Sequence, residues 1–244
     1  MESSSNPALN KKYIDRLSKT LESSESMTMS GTIIKIFWLL CVLSATGVWA
    51  WGFTENSPSS AFALTIGASI TGFVLAMVII FKKPSALLVT LYAAVQGILV
   101  GSISFLFSDT YQGIIAHAIL FTICITLGML FLFATRLVTV TKKLYSIILI
   151  STVGVLFFYV ASFIISLFSS SFADFVYTGT SGVIFALIIV IIAALNLLLD
   201  FDFIDKGIQK ELPKQFEWYG AFGIMVTLIW LYFSILRMLA ASRR

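Results

Sequence analysis

The chain has 244 residues, 59% hydrophobic and 11% charged, with a formal net charge of +4 and a mean hydropathy of +0.99. Soluble domains carry about 25% charged residues, and a core of this length cannot hide so much apolar surface, so lipid is the expected solvent. The basic balance does not point to nucleic acid, because Lys and Arg sit at the ends of apolar runs and not on one solvated face.

Residues 1–31 are polar and serine-rich. No apolar stretch follows Met1, so no cleavable signal peptide is expected. Ile14, Leu17 and Leu21 share a helical face, with Lys11, Lys12, Arg16 and Lys19 around them. A short interfacial helix on an anionic leaflet and a frayed tail both fit. The expected organisation is a polar cytoplasmic tail over 1–31, a membrane domain over 32–240 and a short basic tail over 241–244.

Spanning a bilayer takes about 20 apolar residues. Seven runs qualify, near residues 33–53, 61–81, 85–107, 114–133, 145–168, 182–199 and 218–236. The expected fold is therefore all-α, a polytopic bundle of seven transmembrane helices. The connectors alternate in charge. Segments 54–60, 108–112 and 169–175 hold Glu55, Asp109 and Asp174 without Lys or Arg. The others hold Lys82 and Lys83, then Arg136, Lys142 and Lys143, then Lys206, Lys210 and Lys214. Short basic loops stay in the cytoplasm, which predicts the N-terminus inside and, after seven spans, the C-terminus outside. Arg237, Arg243 and Arg244 disagree, since three positive charges favour the inside. A re-entrant segment is the alternative to seven spans. The aromatics Trp49, Trp51, Trp218 and Tyr219 fall near span ends and fit an interfacial belt.

Ionisable residues within spans are costly and are candidate functional sites. Lys35 lies near the start of the first span and can snorkel to the surface. Asp200 follows three leucines and ends the sixth span, with Asp202 and Asp205 close behind. On a helix, Asn196 and Asp200 are four apart and share a face; Asp202 and Asp205 are three apart and share another. Carboxylates at a helix C-terminus oppose the macrodipole, so local stability does not account for them. Asp202 and Asp205 fit a charge-mixed connector offset by Lys206 and Lys210. Asp200 lies deeper and is the candidate gate or pH sensor; its oxygens also suit calcium. Cys41 and Cys124 lie inside apolar runs and are expected as buried small hydrophobes. Gly179–Thr180–Ser181–Gly182 matches the GxSG pattern of rhomboid-type proteases, with His117 as a conceivable base. In rhomboids the histidine lies on a later span than the serine, and here it precedes it. Close helix packing is the simpler role for such small residues, and for Gly97, Gly101 and Ser104 in the third span.

Met27–Thr28–Met29, Gly31–Thr32, Lys82–Lys83–Pro84, Tyr92–Ala93, Gly97, Gly101 and Ser104 form an ordered series. It continues through Ala193–Ala194–Leu195–Asn196, Asp200–Phe201–Asp202, Ile204, Pro213 and Glu217–Trp218–Tyr219–Gly220–Ala221–Phe222–Gly223. Val226–Thr227–Leu228, Trp230–Leu231–Tyr232 and Leu236–Arg237 complete it. On these residues the chain resembles the transmembrane Bax-inhibitor-motif family, in its bacterial Bax-inhibitor-like branch. The resemblance implies six helices around a central seventh. It also implies a proton-sensitive cation leak, best described for calcium, that works through paired acids near the cytoplasmic ends of spans six and seven. Asp200 matches the span-six acid. The span-seven acid falls at Ser234, and an acid one residue before the span-three glycine falls at Gln96, so two of three expected acids are uncharged.

The resulting expectation is a pH-sensitive calcium leak channel with Asp200 as gate or sensor. Asn196, Asp202, Asp205, Ser234, Arg237 and Gln96 are supporting residues, with Arg237 as counter-charge. The alternative is a non-transporting regulatory protein that binds a membrane protease or assembly partner. No enzymatic activity, cofactor or bound metal is expected. The expected surroundings are a lipid bilayer, the bacterial plasma (inner) membrane, with calcium as the permeant ion.

Overall fold

The computed structural model describes residues 25–81, 85–166, 168 and 179–243. The readings placed on residues 1–24, on Lys82 and Lys83 and on 169–175 lie outside them. The described elements are α1 (Met29–Asn56), a 3-10 turn (Pro58–Ser60), α2 (Ala61–Phe81), α3 (Ala86–Thr110), α4 (Ile114–Ala134), α5 (Lys142–Ser166), α6 (Gly179–Gln209) and α7 (Phe216–Ser242). All seven α-helices are long and apolar enough to cross a membrane.

Local chemistry sets several ends. The Thr28 hydroxyl accepts from the Gly31 N–H to cap α1, and the Ser85 hydroxyl accepts from Leu88 N–H to cap α3. Gly113 turns the chain into α4 at φ 71°, a left-handed conformation that glycine adopts without steric cost.

The last helix is the centre. α7 packs against α6, α1, α4 and α3, and Arg237 reaches the Tyr159 ring of α5. α2 joins the bundle through α3. Buried residues cover most of the circumference of α7, including Ala221, Phe222, Ile224, Met225, Leu231, Tyr232, Ile235 and Leu236, and leave Val226 exposed. By contrast, α2, α4 and α5 expose large apolar side chains such as Phe73, Leu120, Phe131, Ile150 and Phe157. In water such a surface would drive association; here it is the face offered to lipid.

α3 approaches α1 most closely. A Cβ on Gly97 would overlap the Leu43 carbonyl, and one on Gly101 the Gly47 carbonyl. The Gly-xxx-Gly spacing lets the two backbones touch, as expected from the sequence. Ser104 in turn shares a 2.6 Å hydrogen bond with Tyr232 of α7.

The helix of the sixth apolar run extends beyond it: α6 continues in register to Gln209 because Ile204 and Gly207 still find partners. One expectation needs correcting. Cys41 and Cys124 are free and exposed on the apolar surface, not buried, because each falls on the outward side of its helix. Arg243 donates to the carbonyl of Gln112, beside Asp109, so α7 ends on the acidic-connector side.

Candidate functional site

Asp200 sits in the wrong company by composition and the right one by geometry. Ala193, Leu197, Asp200, Ile204 and Gly207 follow one another at helical intervals of three and four. Ala193, Leu197 and Ile204 are buried against α7, and Gly207 is buried against Met27 and Leu212. Asp200 is therefore turned into the bundle by the same periodicity that buries the apolar residues.

The facing surface of α7 is built from Gly220, Gly223 and Thr227, again at intervals of three and four. A Cβ on Gly220 would lie 2.9 Å from Ile204, and one on Gly223 3.2 Å from Asp200 Oδ1. The two glycines bring the helices close, and Thr227 donates its hydroxyl proton to Asp200 Oδ2 at 2.5 Å.

The other sequence candidates lie elsewhere. Ser234 is seven residues beyond Thr227, about 10 Å along the axis, and donates to the Trp230 carbonyl. Thr227, not Ser234, faces Asp200. The antiparallel pairing of α6 and α7 sets that register, which counting along one chain could not. Asn196 also parts from Asp200: its amide donates to Thr152 of α5 at 2.9 Å and to the Ile192 carbonyl. A fourfold spacing gives only a rough shared face, and the side chain turns to the neighbour that satisfies it. Arg237 is ten residues beyond Thr227, about 15 Å away, over the Tyr159 ring, so it is not the counter-charge of Asp200. Gln96 is buried on α3 against Gly72, near Tyr92. Asp202 pairs with Lys206 and Asp205 accepts from Gln209, both within the last turns of α6. His117 is exposed, with Nδ1 2.8 Å from the Gly113 carbonyl, and Ser181 lies at the start of α6.

A second polar centre was not assembled from the sequence. Glu217, in the first turn of α7, is 0% exposed. Its carboxylate accepts from the Thr28 N–H at 2.9 Å and the Thr28 hydroxyl at 3.0 Å, and pairs with Lys35. Lys35 also lies 5.3 Å from the Trp218 ring centre, so its charge is held twice. The carboxylate sits at the N-termini of both α1 and α7, where helix dipoles favour negative charge. Gly31 is required beside it, since a Cβ there would overlap the Glu217 carboxyl group. The signal available in sequence was weak: two opposite charges near span starts on the basic-connector side.

The segment before α1 belongs to this centre. The Met27 N–H donates to the Leu212 carbonyl at 2.7 Å, and the Lys214 N–H to the Glu25 carbonyl at 2.9 Å. Between them Ser26 and Pro213 form an antiparallel bridge. The bonds flank this pair, so Pro213, which has no N–H, loses nothing there. Glu25 and Lys214 also form an exposed ion pair. Lys214 holds the Glu25 carboxyl below its ordinary range, and Glu25 raises the Lys214 ammonium.

The family model for Bax inhibitor 1 like proteins matches residues 6–244. A comparison with curated proteins finds no match. Among the described residues six apolar helices and a central seventh, with this match over almost the whole length, place the chain in the Bax inhibitor 1 like family as a multi-pass integral membrane protein.

Proposed function

We propose that the protein is a cation leak channel, with calcium as its first permeant ion and Asp200 as its gate or pH sensor. The observation that carries this reading is the carboxylate itself: it lies within a membrane-spanning helix, turned into the bundle, held by a single threonine on the central helix. Intramembrane carboxylates mark ion and proton pathways by default. Exchange of the Thr227 bond for a proton or a cation would loosen α6 from α7 at the same point. In this reading the basic connectors face the cytoplasm of a bacterial cell, calcium is cargo, and no reaction or cofactor is involved.

Reconstituted protein in calcium-loaded liposomes tests it. Folded protein that passes no calcium anywhere in the neutral pH range overturns the transport reading. Asp200→Asn with unchanged flux and unchanged pH response overturns only the assignment of the site.

A specific observation also favours a second reading. The group facing Asp200 is a hydroxyl, which cannot share a titrating proton with it as a second carboxyl would. A protein without a proton-coupled gate fits a non-transporting role, binding a membrane protease or an assembly partner. A stoichiometric partner retained in mild detergent, without flux, supports that role.

A further inference from the structure

Met27 is 2% exposed, although the residues on both sides of it, Glu25, Ser26, Thr28 and Met29, are exposed. Its side chain enters the cleft between α6 and α7. The sulfur lies 3.0 Å from the Cβ position of Gly207, and the methyl carbon 3.6 Å from that of Gly220. Two glycines, one on each helix, clear the space it fills. Met27 joins Ile204 and Ile224 in a buried cluster, with Phe201 and Leu228 packed around it. Ile204 is one turn beyond Asp200. Phe201 and Leu228 adjoin Asp200 and Thr227 in sequence. The cluster therefore closes the cleft immediately on the basic-connector side of the Asp200–Thr227 bond.

The way Met27 is held differs from ordinary core packing. It is carried by an extended strap, not by a helix. Its free part, residues 25–27, is attached to the 210–215 loop through two backbone hydrogen bonds, one bridge and one exposed ion pair, while Thr28 at its other end is anchored to Glu217 and acts as the hinge. Exposed ion pairs are weak and screened by salt. The thioether side chain is unbranched and can leave or re-enter without rebuilding the helices.

We propose that Met27 is the access-controlling residue of the Asp200 site: the strap of residues 25–28 plugs the α6–α7 cleft, and its release opens Asp200 to water from the basic-connector side. The functional consequence rests on the reading of Asp200 as an ion gate; the control of access does not.

The test uses full-length protein in nanodiscs, with Cys41→Ser, Cys124→Ser and Thr227→Cys, so that one thiol reports on the cleft. A charged, water-soluble thiol reagent labels it slowly when Met27 is present. Met27→Gly raises the labelling rate by about tenfold or more, the signature of local opening. Glu25→Lys, which sets a like charge against Lys214 and leaves the buried packing intact, raises it as well. Unchanged labelling in both variants, with monodisperse folded protein, overturns the proposal. Calcium flux in the same two variants, with Thr227 restored, separates the two readings. Faster labelling with increased flux supports both. Faster labelling with no flux in any form of the protein leaves Met27 as the plug and rejects the channel. A disulfide between Ser26→Cys and Pro213→Cys, at paired positions of an antiparallel bridge, provides the opposite state. Its oxidation is expected to lower flux about tenfold relative to the reduced form, and equal flux in both counts against the plug.

Discussion

Thr227 donates its proton to Asp200 at 2.5 Å, so a hydroxyl of the central helix and a carboxylate of α6 hold the two helices together within the membrane. Thr227→Val keeps the shape and removes the donor. A packed carboxylate left without its partner costs about 1–3 kcal/mol. The expected outcome is a lower thermal midpoint in detergent, with Thr227→Ser close to the parent protein.

The same relationship predicts where a second acid acts. Thr227→Asp places two carboxyl groups face to face, where one proton is shared and the titration becomes steep and coupled. Ser234→Asp, about 10 Å further along α7, does not. The pH dependence of flux, or of the carboxyl infrared band, should change shape in the first variant and keep its shape in the second. The reverse outcome would restore Ser234 as the partner of Asp200.

Much of this architecture was legible in the sequence, and the reason is physical. Span number and helix type follow from the length and apolarity of each run, which one chain records directly. The depth of Asp200 follows from the three leucines before it, although Asn196, four residues back, turns to Thr152 of α5. The partner of Asp200 does not, because the pairing of α6 with α7 depends on the length of the turn between them and on how closely Gly220 and Gly223 let them approach. A shift of one heptad exchanges Thr227 for Ser234. The Thr28–Lys35–Glu217 centre was hidden for a related reason: its parts are 182 and 189 residues apart and nothing local ties them.

Glu217→Ala leaves Lys35, 14% exposed at its side chain, without its carboxylate. Breaking one side of a fully buried pair costs about 3–5 kcal/mol, and the loss here is expected to be smaller because Lys35 is partly exposed. Lys35→Met combined with Glu217→Gln removes both charges, and part of the loss should return. Thermal unfolding of the three proteins in detergent checks this, and a double variant weaker than either single one would argue against a coupled pair.

The α1–α3 contact separates two glycine substitutions. Gly101→Val must displace the Gly47 carbonyl, a backbone group that cannot move without parting the helices. A Cβ added at Gly128 on α4 meets nothing within 4 Å, so Gly128→Val has open space around it. The first should abolish monodisperse protein on gel filtration, and the second should leave the profile unchanged.

The Glu25–Lys214 pair gives the strap a pH window. The Glu25 carboxyl is depressed in the folded chain, so its contribution is present above the unfolded carboxylate range and is lost as pH falls through the folded value. The Lys214 ammonium is raised, so its contribution is present below the unfolded lysine range and is lost as pH rises through the folded value. The attachment is strongest between these limits. Protease cleavage within residues 25–28 should accelerate at acid pH and in high salt, and Glu25→Gln should weaken the acid response, leaving the part carried by the Thr28–Glu217 bonds.

The bond from Thr28 to Glu217 spans 189 positions, which has a consequence for biosynthesis. A ribosome delivers the first helix to the bilayer long before the seventh exists. Until then Lys35 carries a charge with no carboxylate to meet it, and the notch at Gly31 stays empty. The final segment to be threaded is thus the one that completes the first. A nascent product broken off before the seventh helix lacks Glu217, and so leaves Lys35 and Thr28 without the group that joins them in the finished chain.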